Sequence, residues 1–401
     1  MNFKNEINID KIRADTPCIN IYMNHAAASV PPMPVIEEAE SYFRTAVKYG
    51  TKAEWVIRYF TERLFNAKKS IAKLTGASSD EIAFTLDGPD AMNIIANGMD
   101  FKPGDNIVLS KLRFICNVFP WLRLKESGVE IRLAKAKKPG FIDLDDLKSQ
   151  IDQKTKVVAI THMPPSLGTI QPVKQIAQIT HQKGSLLFLD ACNTVGLVDI
   201  DVEDIGCDFM AVSGRKYMRG PTGTGFLFIK KEHICNIRPS YLGWKSGTWD
   251  RNSDSYKDAD SIDRFAMGEP NFPGIFGLGK AAEYIVEIGG ISQIENRVSM
   301  LTQYFLDNLH DNPNIEIYGP ESSEGRAGLI TFNLRGISSS KLSHLLNRQG
   351  IIVEAGHFFC PGVMKMFGIE SVVRMCVHYW NTKKEIDTVV NLLKSNLADK
   401  C

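Results

Sequence analysis

The middle of the chain alternates short apolar runs with segments of helical pattern. Six runs rich in β-branched and aromatic residues lie at positions 106–110 (NIVLS), 129–134 (VEIRLA), 157–162 (VVAITH), 185–190 (SLLFLD), 208–214 (DFMAVSG) and 224–229 (TGFLFI). Helix-like stretches such as PVKQIAQITHQKG separate several of them. Strands that are apolar on both faces and alternate with helices are typical of a mostly parallel sheet covered by helices. The pattern therefore predicts an α/β domain.

The character of the sequence changes after this region. The polar stretch WKSGTWDRNSDSYKDADSIDR, at 244–264, predicts a long surface or interface loop. Two helical patterns follow, then strand-like runs such as GLITFNLRG and VVRMCVHYW, and a last amphipathic helix. We therefore expect three parts: an N-terminal segment at 1–49, a large α/β domain at 50–265 and a smaller α+β domain at 266–401.

Composition narrows the class of protein. The chain has 401 residues and a net charge of +1, from 47 Lys+Arg against 46 Asp+Glu, so it has no basic field for nucleic acid. No apolar run approaches the roughly 20 residues that span a bilayer, and the N-terminus lacks the apolar stretch of a signal peptide. The eight cysteines form no C-x-x-C pair, which argues against a disulfide framework and a zinc site. We expect a cytoplasmic protein with no metal, membrane or nucleic-acid partner.

Polar residues follow three of the predicted strands. His162, Asp190 and the segment 213–216 stand at strand ends, where open α/β sheets bind ligands. Asp190 and Lys216 are separated by about one strand–helix–strand unit, so both can face one cleft. A lysine and an acid in one cleft suit pyridoxal phosphate, because the lysine forms a Schiff base and the carboxylate pairs with the pyridine nitrogen. Taken alone, however, this spacing favours a helix-capping Asp190 and a solvated Lys216.

Four longer motifs add a family resemblance. They are YMNHAAASVPPMPVIEEA near the N-terminus, FLDACNTVG with DFMAVSGRKYMRGPTGTGFLF, then RFAMGEPNFPGIFGLGKA and VVRMCVHYWNTKKEID. From about residue 20 to about 395 the chain resembles fold-type I pyridoxal-phosphate enzymes of the class V aminotransferase group. That group includes cysteine desulfurases, isopenicillin epimerase-like proteins and carbon–sulfur lyases. The resemblance implies a large domain with a mostly parallel seven-stranded sheet, a smaller α+β domain, bound pyridoxal 5′-phosphate and a homodimer with shared active sites.

The resemblance also implies roles for individual residues. Lys216 would carry the Schiff base, Asp190 would pair with the ring nitrogen and Asn193 would contact the ring 3′-oxygen. The remaining cofactor contacts would be a stacked Phe114 and a phosphate site made by Ser213, Arg215, Gly88 and Pro89. Arg374 would clamp the substrate carboxylate. The other substrate-binding candidates are Asn24, His25, His357 and Cys360.

Several positions depart from the desulfurase pattern. Pro89 lacks the backbone N–H and the hydroxyl of the threonine found there in many relatives. The phosphate site would therefore have fewer hydrogen-bond donors. Pro165 replaces an asparagine near the ring oxygen. Glu269 stands where desulfurases have a threonine, and we expect it to pair with Arg215 or Arg264. Cys360 lies one residue past the desulfurase cysteine, whose position falls on Phe359.

Three functions remain open from the sequence. The resemblance favours a lyase that cleaves the C–S bond of a cysteine-derived amino acid, with Lys216 removing the Cα proton. The products would be pyruvate and ammonia, or alanine if a cysteine takes the sulfur. An aminotransferase or epimerase would use the same Lys216 and Asp190. A cofactor-less, non-enzymatic relative would explain Pro89, Pro165 and Glu269 but not the retention of Lys216, Asp190 and Arg374.

Overall fold

The protein is described by a computed structural model over residues 7–395. The helices in this range are α1 Ile9–Ala14, α2 Met33–Tyr49, α3 Glu54–Thr75, α4 Gly88–Gly98, α5 Phe119–Arg123, α6 Leu144–Gln150, α7 Val173–His181, α8 Val202–Ile205, α9 Phe272–Glu287, α10 Ile291–His310, α11 Ser339–Arg348, α12 Pro361–Phe367 and α13 Lys383–Lys394.

The strands form two main sheets and three short pairs. In chain order they are β1 Ile21–Tyr22, β2 Ile82–Thr85, β3 Asn106–Ser110, β4 Glu130–Ala134, β5 Ala136–Lys137, β6 Phe141–Ile142, β7 Thr155–Thr161, β8 Leu186–Asp190, β9 Phe209–Ser213, β10 Gly225–Ile229, β11 Gly247–Asp250, β12 Ser255–Asp258, β13 Ile315–Tyr318, β14 Leu329–Leu334, β15 Ile351–Ile352, β16 Glu354–Gly356 and β17 Val372–Cys376.

The large sheet has seven strands in the order β2-β10-β9-β8-β7-β3-β4. β10 runs antiparallel to both of its neighbours, and the other pairings are parallel. Every residue of β3, β9 and β10 is buried, as expected for strands covered by helices on both faces. The prediction of a mostly parallel seven-stranded α/β sheet is therefore confirmed. All six apolar runs form strands of this sheet, and its only strand that the sequence patterns did not predict is the four-residue edge strand β2.

The C-terminal third folds on an antiparallel sheet in the order β13-β14-β17-β16. The N-terminal arm joins this part, because β1 pairs in parallel with β15. Met23 next to β1 is fully buried and packs among Phe305, Phe332 and Val373. The division of the chain at 49/50 and 265/266 stays a prediction.

The polar stretch at 244–264 is not a plain loop. It contains the antiparallel hairpin of β11 and β12, in which Trp249 lies opposite Tyr256. The expectation of a loop over the whole stretch is wrong for these two strands, because aromatic cross-strand pairs stabilise a hairpin whose overall composition is polar.

Adjacent strands set the position of the site. β8 and β9 are neighbours, and Asp190 at the end of β8 pairs with Ala211 of β9. The carboxyl ends of both strands therefore open on the same edge of the sheet, which brings the segment after Ser213 close to Asp190. Within residues 7–395, no helix has the length and apolar character to cross a membrane.

Candidate active site

A cavity of about 460 Å³ lies at the carboxyl edge of the large sheet, between it and the strand β16. Most of the predicted site residues line this cavity: Phe114, Pro89, Asp190, Asn193, Ser213, Arg215, Lys216, His357 and Arg374. The residues that the sequence placed at strand ends are thus brought together with residues of the C-terminal third.

Asp190 forms the buried acidic end of the cavity. Its Oδ2 accepts a hydrogen bond from Thr161 Oγ1 at 3.1 Å, and its Oδ1 accepts one from the Cys192 amide at 3.2 Å. Its side chain is held by neighbours on both β7 and the segment after β8. A buried carboxylate fixed in this way can pair with a cationic ring nitrogen without rearrangement.

Lys216 faces the same cavity from the segment after β9. Its Nζ lies 5.8 Å from the centroid of the Phe114 ring. The next turn is anchored by Arg219, a fully buried residue that donates to Val30 O at 2.7 Å, Tyr379 Oη at 2.9 Å and Thr16 Oγ1 at 2.6 Å. The contacts of Arg219 therefore fix the backbone near Lys216, and Lys216 lines the cavity.

The start of α4 closes the cavity on the side of Ser213. The Gly88 amide donates to Ser213 Oγ at 3.0 Å, and a Cβ at Gly88 would lie 2.2 Å from Cys192 Sγ. Only glycine fits this approach. Backbone donors at a helix N-terminus, Ser213 and the charged Arg215 suit an anion. Pro89 lines the cavity without contributing an N–H.

Arg374 forms the opposite end and is held by four groups. Its Nη2 donates to Glu354 Oε2 at 2.7 Å and Asn24 Oδ1 at 3.1 Å, and its Nη1 donates to Pro165 O at 3.2 Å. Its guanidinium lies over the Phe358 ring, 4.0 Å from the centroid. This arrangement presents a planar cation to the cavity, with Glu354 already paired to it.

Two substrate-binding candidates lie in the core, outside the cavity. His25 is fully buried against Ser29, at 2.7 Å, and Asn381, at 3.2 Å. Burial and then the nearby Arg219 lower the pKa of His25 to about 3, so it stays neutral near pH 7. Cys360 is also fully buried, and burial raises the pKa of its thiol to about 12.

Other residues singled out in the sequence also differ from expectation. His162 is buried beside Thr194, with its Nδ1 3.1 Å from Thr194 Oγ1, and burial lowers its pKa to about 4. Glu269 is exposed and pairs with Lys52 at 3.0 Å. The expected pairing of Glu269 with Arg215 or Arg264 is therefore wrong.

Sequence reasoning missed several lining residues. Asp87, which caps α4 by accepting from the Asp90 amide at 3.0 Å, lines the cavity together with Cys116 and Glu354. An Asp before a Gly-Pro helix start is a recognisable cap signal and could have found Asp87. Cys116 carries no such signal in the sequence.

The cavity fits pyridoxal phosphate in its donor set. It offers an amine, a buried carboxylate, an aromatic ring, and an anion site near Arg215. The Asn193 amide donates to Met163 O at 3.2 Å, while its Oδ1 is buried with no hydrogen-bond partner among residues 7–395. A buried amide oxygen without a partner is costly unless a ligand satisfies it.

Comparisons with known proteins place the chain in a family. The model of the class-V aminotransferase family matches residues 21–389, and the chain belongs to this family. A probable cysteine desulfurase of Methanothermobacter thermautotrophicus is 33% identical over 96% of this chain and 97% of its own. A cysteine desulfurase of Pectobacterium atrosepticum is 31% identical over 95% and 96%. The apo structure of a cysteine desulfurase from Thermococcus onnurineus covers all of both chains with a TM-score of 0.92 and 28% identity.

Proposed function

We propose that this protein is a pyridoxal-phosphate-dependent lyase that cleaves the C–S bond of cysteine or a cysteine-derived amino acid. The observation that carries the proposal is the meeting of Lys216, Asp190 and Arg374 in one cavity of about 460 Å³. The relatives named cysteine desulfurase, at 31–33% identity over nearly the whole chain, support the substrate class.

The residues around Lys216 would hold the cofactor. Asp190 would pair with the ring nitrogen, Asn193 with a ring substituent, and Phe114 with the ring face. Gly88, Ser213 and Arg215 would hold the phosphate, as expected for donors near a helix N-terminus. When bound, pyridoxal phosphate supplies an aldehyde that links covalently to amines and a ring that accepts electrons from the substrate Cα.

The protein's own groups would then orient the substrate and move its protons. Arg374 would pair with the substrate carboxylate, which fixes the Cα substituents relative to Lys216. Lys216, once its amine is free, would take the Cα proton as a general base. Asp190, held by Thr161 and the Cys192 amide, would keep the ring nitrogen protonated, which would let the ring accept the charge left at Cα.

The decisive experiment identifies the lysine that binds the cofactor covalently. Purified protein saturated with pyridoxal phosphate is reduced with borohydride, digested and analysed by mass spectrometry. We expect the cofactor on the peptide that contains Lys216, and loss of both the visible absorption band and sulfide release in Lys216→Ala. A matched variant, Lys245→Ala, changes a partly buried lysine of the polar stretch that does not line the cavity, and it should keep both.

Each other outcome has a meaning. Cofactor trapped elsewhere, or turnover by Lys216→Ala at the parental rate, would overturn the proposal. Accumulation of pyridoxamine phosphate with an amino donor, without sulfide from any cysteine conjugate, would favour the aminotransferase alternative.

A further inference from the structure

The segment 357–360, between β16 and α12, places its side chains on different sides. Phe359 is 53% exposed and lines the cavity, and its ring lies 6.3 Å from that of Phe114. Cys360, the next residue, is 0% exposed. The position that faces the substrate is therefore taken by a phenyl ring, and the thiol faces the core.

Backbone contacts hold Cys360 in this orientation. Its amide donates to His357 O at 3.0 Å, and its carbonyl accepts from the Val363 amide at 3.0 Å and the Met364 amide at 3.3 Å. Cys360 is thus the N-cap of α12. These bonds fix the direction of the Cα–Cβ bond of Cys360, so a backbone rotation that turned this bond toward the cavity would break the first turn of the helix.

The start of α12 is also seated against the large sheet. A Cβ at Gly362 would lie 1.9 Å from the carbonyl oxygen of Lys111, so helix and backbone are in direct contact. Phe358 and Phe359 both have left-handed backbones, with φ of 49° and 53°. Such backbone conformations are strained for residues other than glycine and persist when the surroundings impose them. Here two contacts impose these left-handed conformations: the contact of α12 with the Lys111 backbone on one side, and the stacking of Phe358 on Arg374 on the other.

Sulfur transfer to a protein cysteine needs a thiolate within reach of the substrate sulfur. Cys360 is fully buried and is not among the residues that line the cavity. Burial also raises the pKa of its thiol to about 12, so the thiol is protonated near pH 7. Cys116, which does line the cavity, is half-buried, and burial followed by the nearby Asp190 raises its pKa as well.

We infer that the sulfur leaves this enzyme on a small molecule, by elimination, and is never carried on Cys360. The inference rests on the proposed C–S lyase function and settles its product. With cysteine, the Cα–H and Cβ–S bonds break, and the sulfur departs with the electron pair of its bond and is protonated. The three-carbon fragment leaves as 2-aminoacrylate, which one water converts to pyruvate and ammonia. No oxidant or reductant is consumed, and one sulfide forms for each pyruvate.

The test counts products. Protein loaded with pyridoxal phosphate is given L-cysteine and dithiothreitol, and sulfide, pyruvate and alanine are measured. We expect pyruvate equal to sulfide and alanine below one tenth of either. Cys360→Ser and Cys360→Ala should keep the rate within twofold. Alanine equal to sulfide, a loss above 50-fold in both variants, or a persulfide on any protein cysteine after a single turnover without reductant would overturn the inference.

A second measurement does not depend on turnover. Native protein, with and without cofactor, is alkylated with iodoacetamide, and each cysteine is followed by peptide mass spectrometry. Cys235 is exposed and serves as the internal reference. We expect Cys360 to react at least 100-fold more slowly than Cys235 until the protein is unfolded. Equal rates would refute the inference even if no sulfur substrate is found, whereas slow alkylation without any sulfide would refute only the proposed function.

Discussion

At the scale of single residues, the most informative contact is the pair of Arg374 and Glu354. These residues lie directly opposite each other on β17 and β16, and their side chains meet at 2.7 Å. Arg374 is 3% exposed, whereas Glu354 reaches into the cavity. A substrate carboxylate must therefore compete with a carboxylate of the protein for the same guanidinium.

This competition predicts opposite effects of two substitutions. Glu354→Gln removes the charge of the protein carboxylate that competes with the substrate for Arg374. It should therefore lower KM for cysteine several-fold at nearly constant kcat. Arg374→Lys loses the planar bidentate donor and should raise KM by about 10- to 100-fold, since hydrogen bonds to charged groups contribute about 1.5–3 kcal/mol. Steady-state kinetics check both, with the exposed Glu316→Gln as control. A higher KM in Glu354→Gln would contradict the competition.

At the residue scale, a strand end could be used to predict the position of some side chains, although His162 at the end of β7 is buried beside Thr194 instead. Asp190, Ser213 and Lys216 face the cavity because the parallel strands β8 and β9 end at one edge. The Arg374–Glu354 contact depends on the register between two strands, which no local pattern encodes. His25 was misplaced for a related reason: rings of Tyr22, His378 and Trp380 surround it, and two of them come from the far end of the chain.

At the scale of elements, the packing of α9 on α3 depends on one glycine. A Cβ at Gly279 would lie 2.5 Å from the Ala67 Cβ and 2.7 Å from the Ala67 Cα. Gly279→Ala would gain up to about 1 kcal/mol of helix propensity, but overpacking costs about 1–3 kcal/mol. We expect a net loss of about 1 kcal/mol in the free energy of unfolding. The second variant Ala67→Gly should restore part of it, as a double-mutant cycle in urea would show. An additive cycle would contradict the contact.

A second element-scale prediction concerns the edge of the sheet opposite the cavity. Asp208, before β9, accepts from His181 Nε2 at 2.8 Å, His233 Nε2 at 3.0 Å and the Leu187 amide at 2.7 Å. Burial alone would raise the pKa of Asp208, but the hydrogen bonds from His233, His181 and Leu187 outweigh it and lower that pKa below its ordinary value. The carboxylate therefore joins α7, β8 and the turn after β10.

A lowered pKa in the folded state gives stability that is complete above the unfolded pKa and is lost as pH falls through the folded value. Asp208→Asn should cost about 1–3 kcal/mol at pH 7, and the difference from the parent should shrink below about pH 4. Thermal unfolding at pH 7 and pH 3.5 measures this, with the exposed Asp100→Asn as control. A difference that is equal at both pH values would rule out the charged pairing.

Element-scale prediction was strongest for buried strands and weakest for short polar ones. The runs at 106–110 and 224–229 could be read as strands because every side chain in them is apolar or small enough to bury. The hairpin of β11 and β12 could not, since six of its eight residues are exposed and its alternation is masked by Asp, Lys and Ser.

At the scale of the whole molecule, the surface carries an apolar patch at the junction of α2 and α3. We define the α2–α3 patch as Phe43, Val47, Tyr49 and Trp55. Val47 is 88% exposed and Phe43 60%, and they lie one helical turn apart. The rings of Tyr49 and Trp55 pack at 4.8 Å and are nearly half exposed. Large exposed apolar side chains grouped in this way mark a surface that another protein covers.

We predict that a second copy of this chain covers the α2–α3 patch, in the homodimer that the family resemblance implies. The parent should sediment at twice its 44.8 kDa at micromolar concentration. Val47→Glu combined with Phe43→Glu would bury two unpaired carboxylates in that interface, so the variant should sediment as a monomer or dissociate at 100-fold higher concentration. Met300→Glu, at a half-exposed site on α10, is the matched control and should stay dimeric. A monomeric parent, or a double variant that remains dimeric, would show that the patch serves another purpose.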